Sequence, residues 1–385
     1  MNKVRMGIIG YGNMGTKHVQ NIAEGKVTNM ELAAVCDISE ARRRAVKERY
    51  SDIPVFENAE EMYGSGLCDA VLIAVPHYDH PPLAIKAFEH GLNVITEKPA
   101  GVYTNQVREM NEAAKKSGKL FAIMYNQRTR AVYRHLRKMI RDGETGHIKR
   151  ITWIITDWYR PQAYHDSSTW RSTWKTEGGG ALINQNPHQL DLWQWMFGMP
   201  DRIYAKASFG KYYDIEVEDD VMAYMEYDSG TTGEYITSTG ETPGTNRLEI
   251  ACDMGKLVIE NNTLVFYRNV ISEREHNKIN TEPFGRPECW ECKIPVDFGG
   301  EEHVGILKNF ADVLLHGGEL IAKGEEGING LTVSNAIHLS AWTGETVDVK
   351  NFPDDRFYEL LQDKIRKSTV VKKESQIITD NSNTY

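Results

Sequence analysis

Val4-Arg5-Met6-Gly7-Ile8-Ile9-Gly10-Tyr11-Gly12-Asn13-Met14-Gly15 is the stretch on which the reading of this chain turns. A short apolar run ends directly in a glycine-rich loop, and the loop opens a helical pattern. That is the placement a dinucleotide-binding turn requires. Gly10 would permit the tight turn, Gly12 would let a pyrophosphate approach the backbone, and Gly15 would let the helix pack closely on its strand. Amides at the helix start, from Asn13 and Met14 onward, would then face an anionic ligand. Asp37 follows 22 positions after Gly15, at the end of the next apolar run. A carboxylate there accepts hydrogen bonds from the adenosine ribose and repels a 2′-phosphate, so NAD is expected rather than NADP. Ser39, Arg42 and Arg43 come soon after and would favour NADP if they turned inward.

Outward from this loop, β-branched runs alternate with helical patterns. Strands are expected at 4–9, 31–36, 70–75, 92–96 and 120–124, with helices at 16–24, 39–50, 82–90 and 104–117, which describes an α/β Rossmann domain over residues 1–124. After Tyr125 a helical pattern runs through Arg141, and strands with short turns follow at 148–158, 203–209, 217–227, 231–238, 247–252, 256–260 and 263–268. Helices are expected at 186–197 and 303–316. Residues 125–365 therefore read as a C-terminal α+β domain with a large, mainly antiparallel open sheet, built from successive hairpins. One face of such a sheet would pair subunits, so a homodimer or homotetramer is expected. Residues 366–385 read as a polar C-terminal tail.

The 385-residue length suits two domains, and 41% hydrophobic with 26% charged residues is ordinary globular composition. A net charge of −9 speaks against a nucleic-acid surface. The N-terminus has no signal-peptide pattern and no apolar run approaches a membrane span, so a cytoplasmic protein is expected. The five cysteines are scattered and make no disulfide framework. Cys289-Trp290-Glu291-Cys292 has redox spacing but lacks a strand-to-helix context, and no metal ligand set stands out.

Glu97-Lys98-Pro99 directly follows the expected strand 92–96, at the sheet edge where open α/β sheets bind ligands. An ammonium beside a nicotinamide would stabilise charge on a reacting oxygen. The second cluster is Glu177-Gly178-Gly179-Gly180-Ala181-Leu182-Ile183-Asn184-Gln185-Asn186-Pro187-His188-Gln189-Leu190-Asp191. If the helix begins before Asn184, then Asn184, His188 and Asp191 share a face; if Pro187 marks its first turn, only His188 and Asp191 do. His188 has the range to exchange a proton with a hydroxyl or carbonyl near neutral pH. Between the two motifs, Trp158, Tyr159, Arg160, Tyr164, Trp170, Arg171 and Trp174 supply the aromatic faces and polar groups that bind sugars. Arg128, at the domain junction, is a further pocket candidate.

These motifs together resemble the glucose–fructose oxidoreductase, inositol dehydrogenase and rhizopine-catabolism (Gfo/Idh/MocA) family over nearly the whole chain, and the run from Val75-Pro76 through His80 matches its pattern as well. The resemblance implies that Lys98 is the catalytic lysine, that His188 is the general acid/base, and that Pro76, His80 and Glu97 join the cofactor site. Asn184 stands where inositol dehydrogenase-like members have aspartate; an amide takes no proton, so it is expected to orient the substrate or His188. The expected activity is NAD-dependent hydride transfer to or from a secondary alcohol or ketone of a sugar, glycoside or cyclitol. The alternative is an NAD-dependent glycosidase working by transient ring oxidation and elimination.

Overall fold

The computed structural model describes residues 3–370. Six parallel strands, β1 Val4–Ile9, β2 Met30–Cys36, β3 Val55–Phe56, β4 Ala70–Ile73, β5 Asn93–Thr96 and β6 Phe121–Ile123, form a sheet in the order β3-β2-β1-β4-β5-β6. The strand order reverses beside β1, and the glycine loop and the Lys98 turn both leave the carboxyl edge there. Helices Asn13–Ala23, Glu40–Arg49, His80–Glu89 and Thr104–Ser117 connect the strands. Met6, Ile8, Val71, Leu72, Ile73 and Val94 are fully buried because a parallel sheet is covered on both faces. β3 and the helix Ala59–Gly64 were not anticipated; both are too short for periodicity to show.

The second sheet contains β7 Ile148–Ile155, β8 Arg202–Phe209, β9 Glu218–Glu226, β10 Thr232–Ser238, β11 Asn246–Cys252, β12 Gly255–Glu260, β13 Thr263–Asn269, β14 Cys289–Ile294 and β15 Val347–Asp348. Their order is β14-β13-β12-β11-β7-β10-β9-β8-β15. It is mainly antiparallel, yet β7 sits between β11 and β10 and runs parallel to β10, so the expectation of successive hairpins is corrected. The long excursion between β7 and β8 carries the second cluster and the helix Pro187–Phe197. Burial alternates along these strands: Ile203, Ala205, Ala223, Met225, Tyr235, Ile151 and Trp153 face the core. Helices Pro187–Phe197 and Gly327–Thr343 cover that side. Trp193 lies so close over Gly233 that a β-carbon there would stand 2.6 Å from its ring.

Three further features refine the sequence reading. Cys289 and Cys292 are three apart on the extended strand β14, so their side chains point to opposite faces, and both are free. The helix Gly327–Thr343 went unseen because it is buried nearly all round and has no polar stripe. The helix Asp354–Lys367 continues past 365, which makes Arg366 and Lys367 helical rather than tail, and residues 371–385 of the expected tail lie outside the described residues. Among the described residues no helix is long and apolar enough to cross a membrane.

Candidate active site

At the end of β1, Gly10 adopts φ +92°, and its amide donates to Cys36 O at 2.8 Å. A β-carbon on Gly10 would overlap Ala74 O, and one on Gly15 would overlap Gly10 O. Gly12 differs: the nearest group to its β-carbon position is Arg42 Nη1 at 3.7 Å, which leaves room above the start of helix Asn13–Ala23. That helix has Gly12 as its N-cap and no side-chain cap. Its first-turn amides suit a pyrophosphate. Asp37 is buried between the loop and the following helix, accepting from Tyr11 N at 2.7 Å and Ser39 N at 2.8 Å. Each carboxylate oxygen keeps a second acceptor site for a ribose hydroxyl. Arg43 is committed to the carbonyls of Asp37 and Ile38 and to Glu57, whereas Arg42 Nη1 lies 3.5 Å from Asp37. Ile38, 88% exposed beside Asp37, offers an apolar surface that the sequence reading did not single out. Pro76 follows β4, partly exposed, on the same edge.

His80 and Glu97 depart from the cofactor roles expected of them. His80 is buried with its ring nitrogens against Pro99 O at 2.7 Å and Val75 O at 2.8 Å, so it ties the Lys98 turn to the end of β4. Glu97 faces His18, with 2.7 Å between Oε1 and Nε2, and its Oε2 accepts from Lys98 N. Burial raises the Glu97 carboxyl, but the hydrogen bond and charge of His18, with His303 and Lys98, outweigh it and hold the group at about 2. An anionic Glu97 therefore sits directly behind Lys98.

Lys98 leaves the end of β5 and donates from Nζ to Asn184 O at 2.8 Å, joining the two motifs. Burial first, and then the charges of Arg171 and Arg160, push its ammonium down to about 8 against the pull of Glu97 and Glu177. Ala181–Gln185 forms a single π-helical turn, and Pro187 opens the α-helix that carries His188 in its first turn. His188 is buried, lies edge-on to Tyr125 with 6.2 Å between ring centroids, and has an Nδ1 without a partner. Burial, then the positive charge of Lys98, holds it well below the usual histidine range, so at neutral pH it is an uncharged imidazole able to take a proton. Asn184 Nδ2 donates to Glu177 and lies 3.4 Å from Tyr164 Oη. Burial pushes the Glu177 carboxyl up to about 7.

Three residues expected at the substrate belong to the scaffold. Arg128 is 1% exposed and grips Asp191 with two bonds of 2.8 and 2.6 Å. It also bonds Glu326 and Ile321 O, while Gln194 donates to Asp191 at 2.9 Å. Both ends of the pair are thus engaged internally, which corrects the pocket roles of Arg128 and Asp191. Trp174 is also corrected: it is 3% exposed and packs on Phe209, His338 and Trp342. Trp158, Tyr159, Arg160 and Tyr164 remain partly or fully exposed as a wall.

Other residues shape the site without having been selected from the sequence. Glu218 Oε1 accepts from Gly180 N and Leu182 N, both at 2.9 Å, which pins the turn bearing Asn184, and His338 lies 2.9 Å from its other oxygen. No local pattern marks Glu218 or His338, because they reach the turn from β9 and from helix Gly327–Thr343. Glu177 had a signal, standing directly before three glycines.

A Rossmann glycine turn with a buried carboxylate after the second strand, and a lysine bonded across the domain junction to a histidine-bearing segment, define a nicotinamide-dinucleotide oxidoreductase architecture. Known proteins agree. The profile of the oxidoreductase family with an NAD-binding Rossmann fold matches residues 4–125, and that of the GFO/IDH/MocA C-terminal domain matches residues 133–258. The chain belongs to the Gfo/Idh/MocA family, and its N-terminal third carries that family's NAD-binding Rossmann domain. It is 31% identical over 208 residues to the rhizopine catabolism protein MocA of Rhizobium meliloti, covering 54% of this chain and 62% of that protein. It is 24% identical over 268 residues to a myo-inositol 2-dehydrogenase of Thermotoga maritima, covering 67% and 75%. The matched region thus spans about six-tenths of MocA. Among solved structures, the WlbA dehydrogenase of Bordetella pertussis, in complex with NADH and UDP-GlcNAcA, has the same fold at a TM-score of 0.77 and 24% identity, over 90% of this chain and 98% of that one.

Proposed function

We propose that this protein transfers a hydride between NAD and a secondary alcohol or ketone of a sugar, glycoside or cyclitol. The observation that carries the reading is the Lys98 Nζ to Asn184 O bond, which brings the lysine of the Rossmann edge onto the segment that presents His188. The Gly12 opening, the uncapped helix start and the Asp37 carboxylate fit a dinucleotide. A bound nicotinamide supplies the hydride acceptor. Lys98 donates a hydrogen bond to the reacting oxygen and stabilises the alkoxide that forms as its proton leaves. His188, neutral and buried, takes that proton, and in the reverse direction returns it. Asn184, linked to Glu177 and Tyr164, orients the hydroxyl. Names of relatives support the substrate class: a D-glucoside 3-dehydrogenase of Escherichia coli is 27% identical over 248 residues.

The open face of the second sheet exposes Met222 and Tyr224, and we assign pairing between copies of this chain to it. Incubation with NAD and a panel of glycosides, hexoses, sugar acids and inositols tests the reaction, since at least one should produce NADH absorbance. Release of an aglycone without accumulated NADH would point instead to the glycosidase. His188→Ala is expected to lower kcat by about 10²- to 10⁴-fold while NADH affinity holds; retained turnover removes His188 from the mechanism.

A further inference from the structure

The wall facing Lys98 carries two guanidinium groups with no carboxylate of their own. Arg171 Nη1 donates to Tyr164 Oη at 2.6 Å, and Arg160 Nη1 donates to Tyr159 O at 3.0 Å. Both cations lie over the Tyr164 ring, Arg160 5.1 Å and Arg171 4.4 Å from its centroid, and Arg160 also lies 5.2 Å from the Trp158 ring centroid and Arg171 4.6 Å from that of Trp170. Tyr164 is fixed in turn by Gln185 Nε2 at 2.9 Å, in the turn that holds Asn184. Nε of each arginine is buried and has no acceptor. Among the described residues neither arginine is ion-paired. The carboxylates whose charges they feel are bonded elsewhere, Asp157 to Asn246 and Glu177 to Ser172 N and Asn184.

Three cations therefore meet here, Lys98, Arg160 and Arg171, while position 184 contributes only an uncharged amide. Half-buried cations without partners are costly unless a ligand neutralises them, and a stacked guanidinium is preorganised for a planar or tetrahedral oxyanion. Neither arginine is among the groups nearest Gly12, so the pyrophosphate cradle does not account for them.

We propose that the substrate is an anionic sugar, carrying a carboxylate or a phosphate monoester that Arg160 and Arg171, both beside Tyr164, bind. This rests on the dehydrogenase reading above and narrows its substrate class. Neutral sugars of the same ring would leave both guanidinium groups unpaired.

The test is calorimetric titration of the full chain saturated with NADH, using glucuronate, galacturonate, glucose 6-phosphate and neutral methyl glucoside as probes. At least one acid should bind tenfold or more tightly than the neutral glycoside, and the advantage should shrink as salt is raised. Uronates against the phosphate identify which oxyanion the wall takes. Arg171→Met should remove the advantage, and Arg171→Lys, which keeps the charge and loses the fork, should retain part of it and guards against a variant that fails to fold. Equal or tighter binding of the neutral sugar, no binding by any acid at millimolar concentration, or discrimination that survives replacement of both arginines overturns the proposal. Neutral sugars that turn over while acids fail to bind would sink this inference and leave the dehydrogenase reading standing; acids that bind without any hydride transfer would do the reverse.

Discussion

Two regions of the C-terminal domain use arginine beside aromatic rings and reach opposite ends. Around Arg128, the guanidinium lies against Tyr125 and Trp195, as Arg160 and Arg171 lie against Trp158, Tyr164 and Trp170. Beneath the helix Pro187–Phe197, however, Asp191 and Glu326 neutralise Arg128. In the wall above Lys98 no carboxylate is bonded to the arginines. Stacking is common to both regions and so says nothing of role. The presence or absence of an internal counter-charge is what separates a residue that holds the fold from one available to a ligand.

The largest expected effect breaks the first half of that comparison. Arg128→Met leaves Asp191 buried without its partner and should cost about 3–5 kcal/mol of stability, read by urea unfolding; a change below 1 kcal/mol would show that the pair is not what holds the helix in place. Lys98→Met comes next and touches chemistry rather than fold. It should lower kcat by about 10²- to 10³-fold, as loss of one oxyanion donor does, with NADH binding by fluorescence titration unchanged. Asn184→Asp sharpens the second half by adding a carboxylate to the cationic wall. It should weaken anionic sugars by about tenfold, an electrostatic effect of roughly 1.4 kcal/mol, and leave neutral ones little affected. The smallest effect is in the pH profile. The Lys98 ammonium is present below about 8 and lost above it, so the rate constant for alcohol oxidation should decline as pH rises through that value. A profile flat from pH 7 to 10 would deny the ammonium its role.

The cofactor half of the site was legible because it is local. Gly10, Gly12, Gly15 and Asp37 lie within one strand–helix–strand unit, and their spacing follows from the geometry of a turn that backbone sterics dictate. Lys98 and His188 were legible for a similar reason, each sitting in a short motif at the end of an element. The substrate half was only partly so. Trp174, Arg128 and Asp191 have the residue types of a sugar pocket, yet burial and pairing place them inside the scaffold. Arg171 was read only as one polar group among the aromatics, since nothing local says that its charge has no counter-ion. Glu218 was silent as well, because its bonds to Gly180 and Leu182 span 38 and 36 residues.

From the sequence alone came the alternation of strands and helices, the dinucleotide turn and the two motifs of the site, all properties of neighbouring residues and of backbone geometry. Only the tertiary structure decided that β7 runs parallel to β10, that Lys98 meets the carbonyl of Asn184, and which arginines are neutralised within the protein. Those outcomes depend on which distant groups share a low-dielectric interior, and a charge's worth is set there by its neighbours in space rather than in sequence.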